Sequence, residues 1–270
     1  MRRLRTVLAA LVALLLCAAS AFAGEPVTVR LESGTYHAVA PAAWDGRSPL
    51  PLVLYLHLYR GSGADIVGNE YMVDAVTSVG GLLVAPDGVN NGWGFHGSPQ
   101  RGRDDVAFLR AVVADAQTRW PVDRTRVVAA GFSIGGSMVW ELACHAASGF
   151  TAFLPMSGSF WLPYPEGCET GSIDLRHVHG LNDRTVPMGG RAIGGSWHQG
   201  DTLKSFEILQ ALDRCPAEPD RREQQGDLEC RSWIGCASGR ELQLCVHQGG
   251  HDLAPVWLRD GLIWAFGLKR

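Results

Sequence analysis

Three unbroken apolar stretches constrain this chain more than any other feature: PLVLYLH at 51–57, GLLVAPDG at 81–88 and RVVAAGF at 126–132. A strand with one wet face alternates polar and apolar residues, whereas a continuous apolar run is covered on both faces. Helical patterns lie between them. Asp104 and Asp105 open a segment in which Val106, Leu109, Val112, Val113 and Ala116 recur at helical spacing, and Pro121 follows its end. Acids at that end complement the helix dipole. Residues 64–79 and 135–147 read as further helices. The remainder continues as strands FTAFLPMSG and LRHVHG, helix DTLKSFEILQAL, strand ELQLCVH and helix PVWLRDGLIWAFG. VTVRLE and TYHAVAP open the pattern as an antiparallel pair turning at Ser33-Gly34. Strands alternating with helices predict an α/β fold, a mostly parallel central sheet with helices on both faces. There is no repeat and no low-complexity linker, so residues 24–270 are expected to form one domain.

Residues 1–23, MRRLRTVLAALVALLLCAASAFA, are expected to lie outside that domain. A basic start, a short apolar run and a small-residue ending describe a secretory signal, with cleavage expected after Ala23. Cys17 follows Leu16 rather than a small residue, so no lipid anchor and no stable membrane anchor are expected. Removing Arg2, Arg3 and Arg5, with no acid, takes the formal charge from −3 to −6. A mildly acidic chain without a basic run is a poor binder of nucleic acid or anionic membranes. Export makes the remaining cysteines informative. Cys144, Cys168, Cys215, Cys230, Cys236 and Cys245 are even in number, which favours disulfides, and none shows Cys-x-x-Cys spacing. Spacing alone leaves fifteen pairings open.

In a sheet of this kind, active sites lie beyond the carboxyl ends of the strands. Three polar residues follow predicted strands: Ser133 in GFSIGGSM, Asp183 in HVHGLNDRTVP and His251 in LCVHQGGHDLAP. Glycines two positions either side of Ser133 suit a sharp strand-to-helix turn that exposes a nucleophile. A serine hydroxyl needs a base, histidine is the natural base near neutral pH, and a carboxylate fixes its tautomer. Taken singly, each has a plainer reading: a tight βα connection, an Asn-Asp turn, a loop histidine. Together, in the order Ser, Asp, His, they predict a catalytic triad. The oxyanion of acyl transfer needs donors, expected to be the N–H of Ile134 and that of either Leu58 or Tyr59 in LYLHLYRGSG. No metal or cofactor is implied by this chemistry.

The stretches PLVLYLHLYRGSGAD, APDG, RDDVAFLRAVV, VDRTRVVAAGFSIGGSM, MSGSFW, HGLNDRTVP and GGHDLAP, spread over 39–257, resemble the polyhydroxybutyrate-depolymerase-like esterases. Those sit among the α/β-hydrolases beside feruloyl and acetylxylan esterases. The resemblance implies Ser133 as nucleophile, Asp183 as acid and His251 as base. It also implies a Cys215–Cys236 disulfide, after which Cys230–Cys245 and Cys144–Cys168 are the expected remaining pairs. The chain departs from the family at Leu58, where glycine is usual, and at Asp252, where an aromatic is usual.

Trp161 and His57 are candidates for lining the substrate cleft, with packing and a structural role as their respective alternatives. Trp93, Phe95 and His96 in NNGWGFHGSPQRG, and Trp197 with His198, are either substrate-facing or ordinary loop residues. His177 and His179 are expected on opposite faces of their strand, which argues against a metal site. The function expected is that of a secreted serine carboxylesterase acting on hydroxyalkanoate oligomers, polyester or small esters. The alternative substrate is a feruloyl or acetyl ester on plant polysaccharide. With no polymer-binding module expected, soluble esters are favoured over insoluble polymer. A serine peptidase of the same fold is expected to need an extra domain, and a non-catalytic binding protein is opposed by the intact triad.

Overall fold

A computed structural model describes residues 24–268. The expected signal and its cleavage site lie outside the described residues. Ten strands form one sheet in the order β1-β2-β4-β3-β5-β6-β7-β12-β11-β10. Its centre is β3 (Leu50–Leu56), β4 (Leu82–Pro86), β5 (Val122–Phe132), β6 (Ala152–Met156), β7 (Leu175–Gly180) and β12 (Leu242–His247). All neighbours within that group are parallel. The edges are antiparallel. β1 (Val27–Leu31) and β2 (Gly34–Val39) extend the sheet beyond β4, and β11 (Leu228–Trp233) and β10 (Arg221–Gln225) extend it beyond β12. A small separate hairpin, β8 (Arg191–Ile193) with β9 (Trp197–Gln199), follows the loop after β7.

The apolar runs are buried on both faces, and β3 shows how. Leu52, Leu54 and Leu56 belong to one core layer, while Val53 and Tyr55 belong to the other. The first layer is covered by α3 (Asp105–Arg119), α4 (Ile134–His145) and α5 (Thr202–Asp213), through Phe108, Val112, Met138, Trp140, Phe206 and Leu209. The second is covered by α1 (Gly63–Gly68), α2 (Glu70–Thr77) and α6 (Pro255–Ala265), through Val67, Met72, Val76, Leu258 and Leu262.

Residues 64–79, read from sequence as one helix, form two. Asn69 leaves helical geometry at φ −93°, ψ 105°, and its side chain accepts from the Tyr71 and Met72 N–H groups. It therefore ends α1 and caps α2. Three disulfides join Cys144 to Cys168, Cys215 to Cys236 and Cys230 to Cys245. The last pair sits directly opposite across β11 and β12. Three bridges fit a protein of an oxidising compartment. Among the described residues no helix is long and apolar enough to cross a membrane.

The expectation that His177 and His179 face opposite sides of their strand is wrong. Positions i and i+2 of a strand share a face, and the two rings hydrogen-bond to each other at 2.9 Å. Among the described residues no three His, Cys, Asp or Glu side chains are grouped so as to hold a metal ion.

Candidate active site

Ser133 stands between β5 and α4 at φ 60°, ψ −122°, a conformation that strains any residue with a side chain. Its N–H donates to the Met156 carbonyl of β6 at 2.9 Å, which helps hold the strained turn. The flanking glycines are needed for space. A Cβ on Gly135 would lie 2.2 Å from the Leu56 carbonyl oxygen, and one on Gly131 would lie 2.6 Å from the Gly135 carbonyl oxygen. Strands β3 and β5 and helix α4 can approach this closely only without those side chains.

Asp183 lies in the turn that follows β7, and its side chain is fully buried. Its Oδ1 accepts the N–H groups of Thr185 and Val186, both at 2.8 Å. His251 comes from the loop after β12, the neighbour of β7 in the sheet. Three hydrogen bonds stitch those two loops together. Leu181 N–H donates to the His247 carbonyl, Asn182 N–H to that of Gly249, and the Asn182 side-chain amide to that of Gln248. Gly180 permits the approach, because a Cβ there would lie 2.1 Å from the Gly250 carbonyl oxygen.

The result is a line of three side chains. His251 Nδ1–H donates to Asp183 Oδ2 at 2.6 Å, and Ser133 Oγ–H donates to His251 Nε2 at 2.9 Å. Phe132 packs its ring 4.7 Å from the imidazole. Burial pushes the Asp183 carboxyl upward, but the bonds from His251, Val186 and Thr185 outweigh it and hold the group below the usual carboxylate value. It is therefore ionised at neutral pH and able to hold His251 in the tautomer whose Nε2 is free to accept.

Ile134 is the first residue of α4, so its N–H has no intrahelical acceptor. Across from it, the loop 57–61 is clamped. Trp93 Nε1–H donates to the His57 carbonyl at 2.9 Å. The Leu58 carbonyl accepts His57 Nδ1–H at 2.8 Å and Gly61 N–H at 3.0 Å. The Gly88 N–H donates to His57 Nε2 at 2.9 Å. Arg60 N–H donates to the Asn91 carbonyl, and the Asn91 side chain returns a bond to that of Gly61. Leu58 and Tyr59 are themselves exposed.

These contacts correct the assignment of His57 to substrate binding. Its ring is buried, both nitrogens are engaged within the protein, and burial lowers its pKa, so it is neutral and unavailable to a ligand. Trp161 also packs. It is 5% exposed, its indole N–H donates to Ser137 Oγ, and its ring meets Phe95 edge-on. Trp93 is fully buried and Phe95 nearly so, leaving His96 exposed on that loop. Trp197 and His198 are exposed on β9. The loop-holding residues Asn91 and Asn182 carry no sequence signal of their own; each is an ordinary loop asparagine until the partner loop is in place.

Comparison with solved structures identifies the scaffold. An acetyl xylan esterase from Aspergillus awamori superposes with a TM-score of 0.64 over 90% of this chain and 99% of its own, at 15% identity. A feruloyl esterase module from Clostridium thermocellum gives 0.59 over 91% and 87%, at 13% identity. The chain has the α/β-hydrolase fold. Among sequences, this chain is 27% identical over 230 residues to feruloyl esterase C of Emericella nidulans, covering 82% of the chain and 77% of the relative. It is 25% identical over 246 residues to feruloyl esterase D of Neurospora crassa, covering 85% and 78%. No protein-family model matches it.

Proposed function

We propose that this α/β-hydrolase is an exported serine carboxylesterase. The observation that carries the reading is the unbroken line Ser133–His251–Asp183 at 2.9 and 2.6 Å, on turns at the carboxyl edge of the sheet. Ser133 Oγ attacks the ester carbonyl carbon while its proton passes to His251 Nε2. The ester C–O bond then breaks, and the departing alcohol takes that proton. Water next attacks the acyl-serine, giving a proton to the same nitrogen, and the acid leaves as Ser133 Oγ is reprotonated. Asp183 stays ionised and stabilises the imidazolium in both halves.

The tetrahedral oxyanion is held by the Ile134 N–H, at the positive end of α4, and by the Tyr59 N–H. Tyr59 is preferred over Leu58 on the geometry of the two peptides. The His57 carbonyl faces the first turn of α4, since a Cβ on Gly135 would lie 2.7 Å from its oxygen. The Leu58 N–H, trans to that carbonyl, points away from the turn. The Leu58 carbonyl is held inside its own loop by two donors, which turns the Tyr59 N–H outward.

The substrate class follows the names of the relatives: a feruloyl or acetyl ester of plant polysaccharide, with hydroxyalkanoate oligomers and small esters as the second reading. Export rests on the leader at 1–23 together with the three disulfides. The test is hydrolysis of p-nitrophenyl butyrate, methyl ferulate, acetylated xylan and a 3-hydroxybutyrate oligomer by residues 24–270 and by Ser133→Ala. Turnover abolished in the variant supports the mechanism, and the preferred ester names the substrate class. No turnover of any ester by the unaltered protein would overturn it.

A further inference from the structure

Behind Asp183 lie two buried histidines that the reaction scheme does not use. His177 and His179 share one face of β7, and both are completely buried. His179 Nε2 lies 2.8 Å from the Val186 carbonyl oxygen and 3.7 Å from Asp183 Oδ2. A carbonyl oxygen only accepts, so the His179 proton sits on Nε2 and Nδ1 carries a lone pair. That lone pair faces His177 Nε2 at 2.9 Å, which therefore carries the His177 proton. The Pro155 backbone lies beside the His177 ring, and burial together with the neighbouring His179 outweighs it and keeps that ring neutral. The charged and titratable groups around His179 are His177 on its own strand, Asp183 in the following turn, and His247 and His251 from the end of β12 and its loop.

We infer that His179 is a positioning residue for the catalytic acid, with His177 supporting its working tautomer. The link runs through Val186. Its carbonyl is gripped by His179, while its N–H, with that of Thr185, holds Asp183 Oδ1. Gripping one side of that residue fixes the turn that aims the carboxylate, leaving Oδ2 for His251. A neutral ring suits this place, because a second cation beside Asp183 would compete with the His251 imidazolium for the same carboxylate. A neutral histidine does both at once, donating from the far nitrogen to Val186 and accepting at the near one. His177 supports that tautomer by donating to the near nitrogen. A carboxylate misaimed by a fraction of an ångström loses much of its effect on His251.

This inference rests on the assignment of Asp183 as the acid, and a double-mutant cycle tests it. The protein is assayed as residues 24–270 by ester turnover and by the rate of covalent inactivation with a fluorophosphonate. The second readout reports Ser133 reactivity even if none of the chosen esters is a substrate, so a wrong substrate class does not disguise the result. His179→Phe is expected to lower kcat and the inactivation rate about tenfold or more, with KM within about twofold. His179→Gln, which restores a donor near the Nε2 position, is expected to recover most of that loss. On an Asp183→Asn background, His179→Phe is expected to cost less than about twofold, because the group it positions is already disabled. Equal losses on both backgrounds, or a loss carried by KM, would overturn the inference. Should His179→Phe not fold, His177→Leu removes the tautomer-supporting donor instead and is held to the same expectations on both backgrounds.

Discussion

Gly135 and Leu56 approach so closely that a single methyl group on the glycine would lie 2.2 Å from the leucine carbonyl oxygen. The neighbour is backbone in the central strand β3, so it has no rotamer with which to yield. Gly135→Ala is therefore expected to destabilise the fold by about 1–3 kcal/mol and to displace the start of α4, taking the Ile134 N–H with it. Urea denaturation and ester turnover check both effects, and activity is expected to fall by more than the folded fraction does.

Removing the nucleophile and removing the acid are expected to differ in kind. Ser133→Ala leaves no acyl-enzyme, and labelling by a fluorophosphonate should disappear. Asp183→Asn keeps the nucleophile but favours the wrong His251 tautomer, and kcat is expected to fall about 10⁴-fold. Intact-protein mass spectrometry after labelling separates them, because the second variant still acquires the adduct slowly.

The choice of Tyr59 as second oxyanion donor is open to direct deletion of one atom pair. Replacing Tyr59 by its α-hydroxy acid turns that amide into an ester and removes only the N–H. A loss of about 10²–10³ in kcat is expected, while the same exchange at Leu58 should cost less than about tenfold. Reversal of the two results would assign the hole to Leu58.

Asp213, at the end of α5, contributes a pH dependence of stability that has nothing to do with catalysis. Burial pushes its carboxyl up to about 6, against the bonding from Ile173 that lowers it. Between about pH 4 and 6 the folded protein holds this proton and the unfolded chain does not, so stability falls as pH rises through that window. Asp213→Asn is expected to stabilise the protein at pH 7.5 by on the order of 1–2 kcal/mol, with the gain shrinking towards pH 4.5. Thermal unfolding at the two pH values measures it, and a gain of equal size at both would refute the assignment.

Cys144–Cys168 ties the last turn of the nucleophile helix to the segment that follows β6, closing a separation of 24 residues. The paired change Cys144→Ala with Cys168→Ala is expected to cost about 2–4 kcal/mol of stability. Turnover at 25 °C should stay within about twofold, since α4 remains packed through Met138, Trp140 and Leu142. Thermal unfolding and initial rates on the same preparation test the two statements together.

Much of this architecture was legible because the central strands carry an unambiguous pattern. LPLVLYL is apolar on both faces and is buried on both faces. Ser133, Asp183 and His251, the proposed triad, could be singled out because strand ends are where such sheets keep their chemistry. What was illegible has physical causes. RREQQ, an edge strand with only one neighbour, has a mostly polar pattern indistinguishable from a loop. Asn69 divides one apparent helix because its side chain can cap a new one, which periodicity does not register. His57 resembles a site residue in sequence, standing beside the oxyanion loop. Only the tertiary bonds to Gly88 and Leu58 reveal that its ring is used up internally.

The proposed acid and base follow β7 and β12, adjacent in the sheet but separated by more than sixty residues of chain. Between them in sequence lie a hairpin, a helix and the two antiparallel strands β10 and β11, all of which precede the return of β12 to close the gap. A polypeptide emerging amino end first thus acquires its nucleophile and its acid well before its base. Hydrolytic competence arrives only with the last strand. On the proposed triad, a chain halted anywhere before His251 lacks its base and is silent however well its earlier strands have paired.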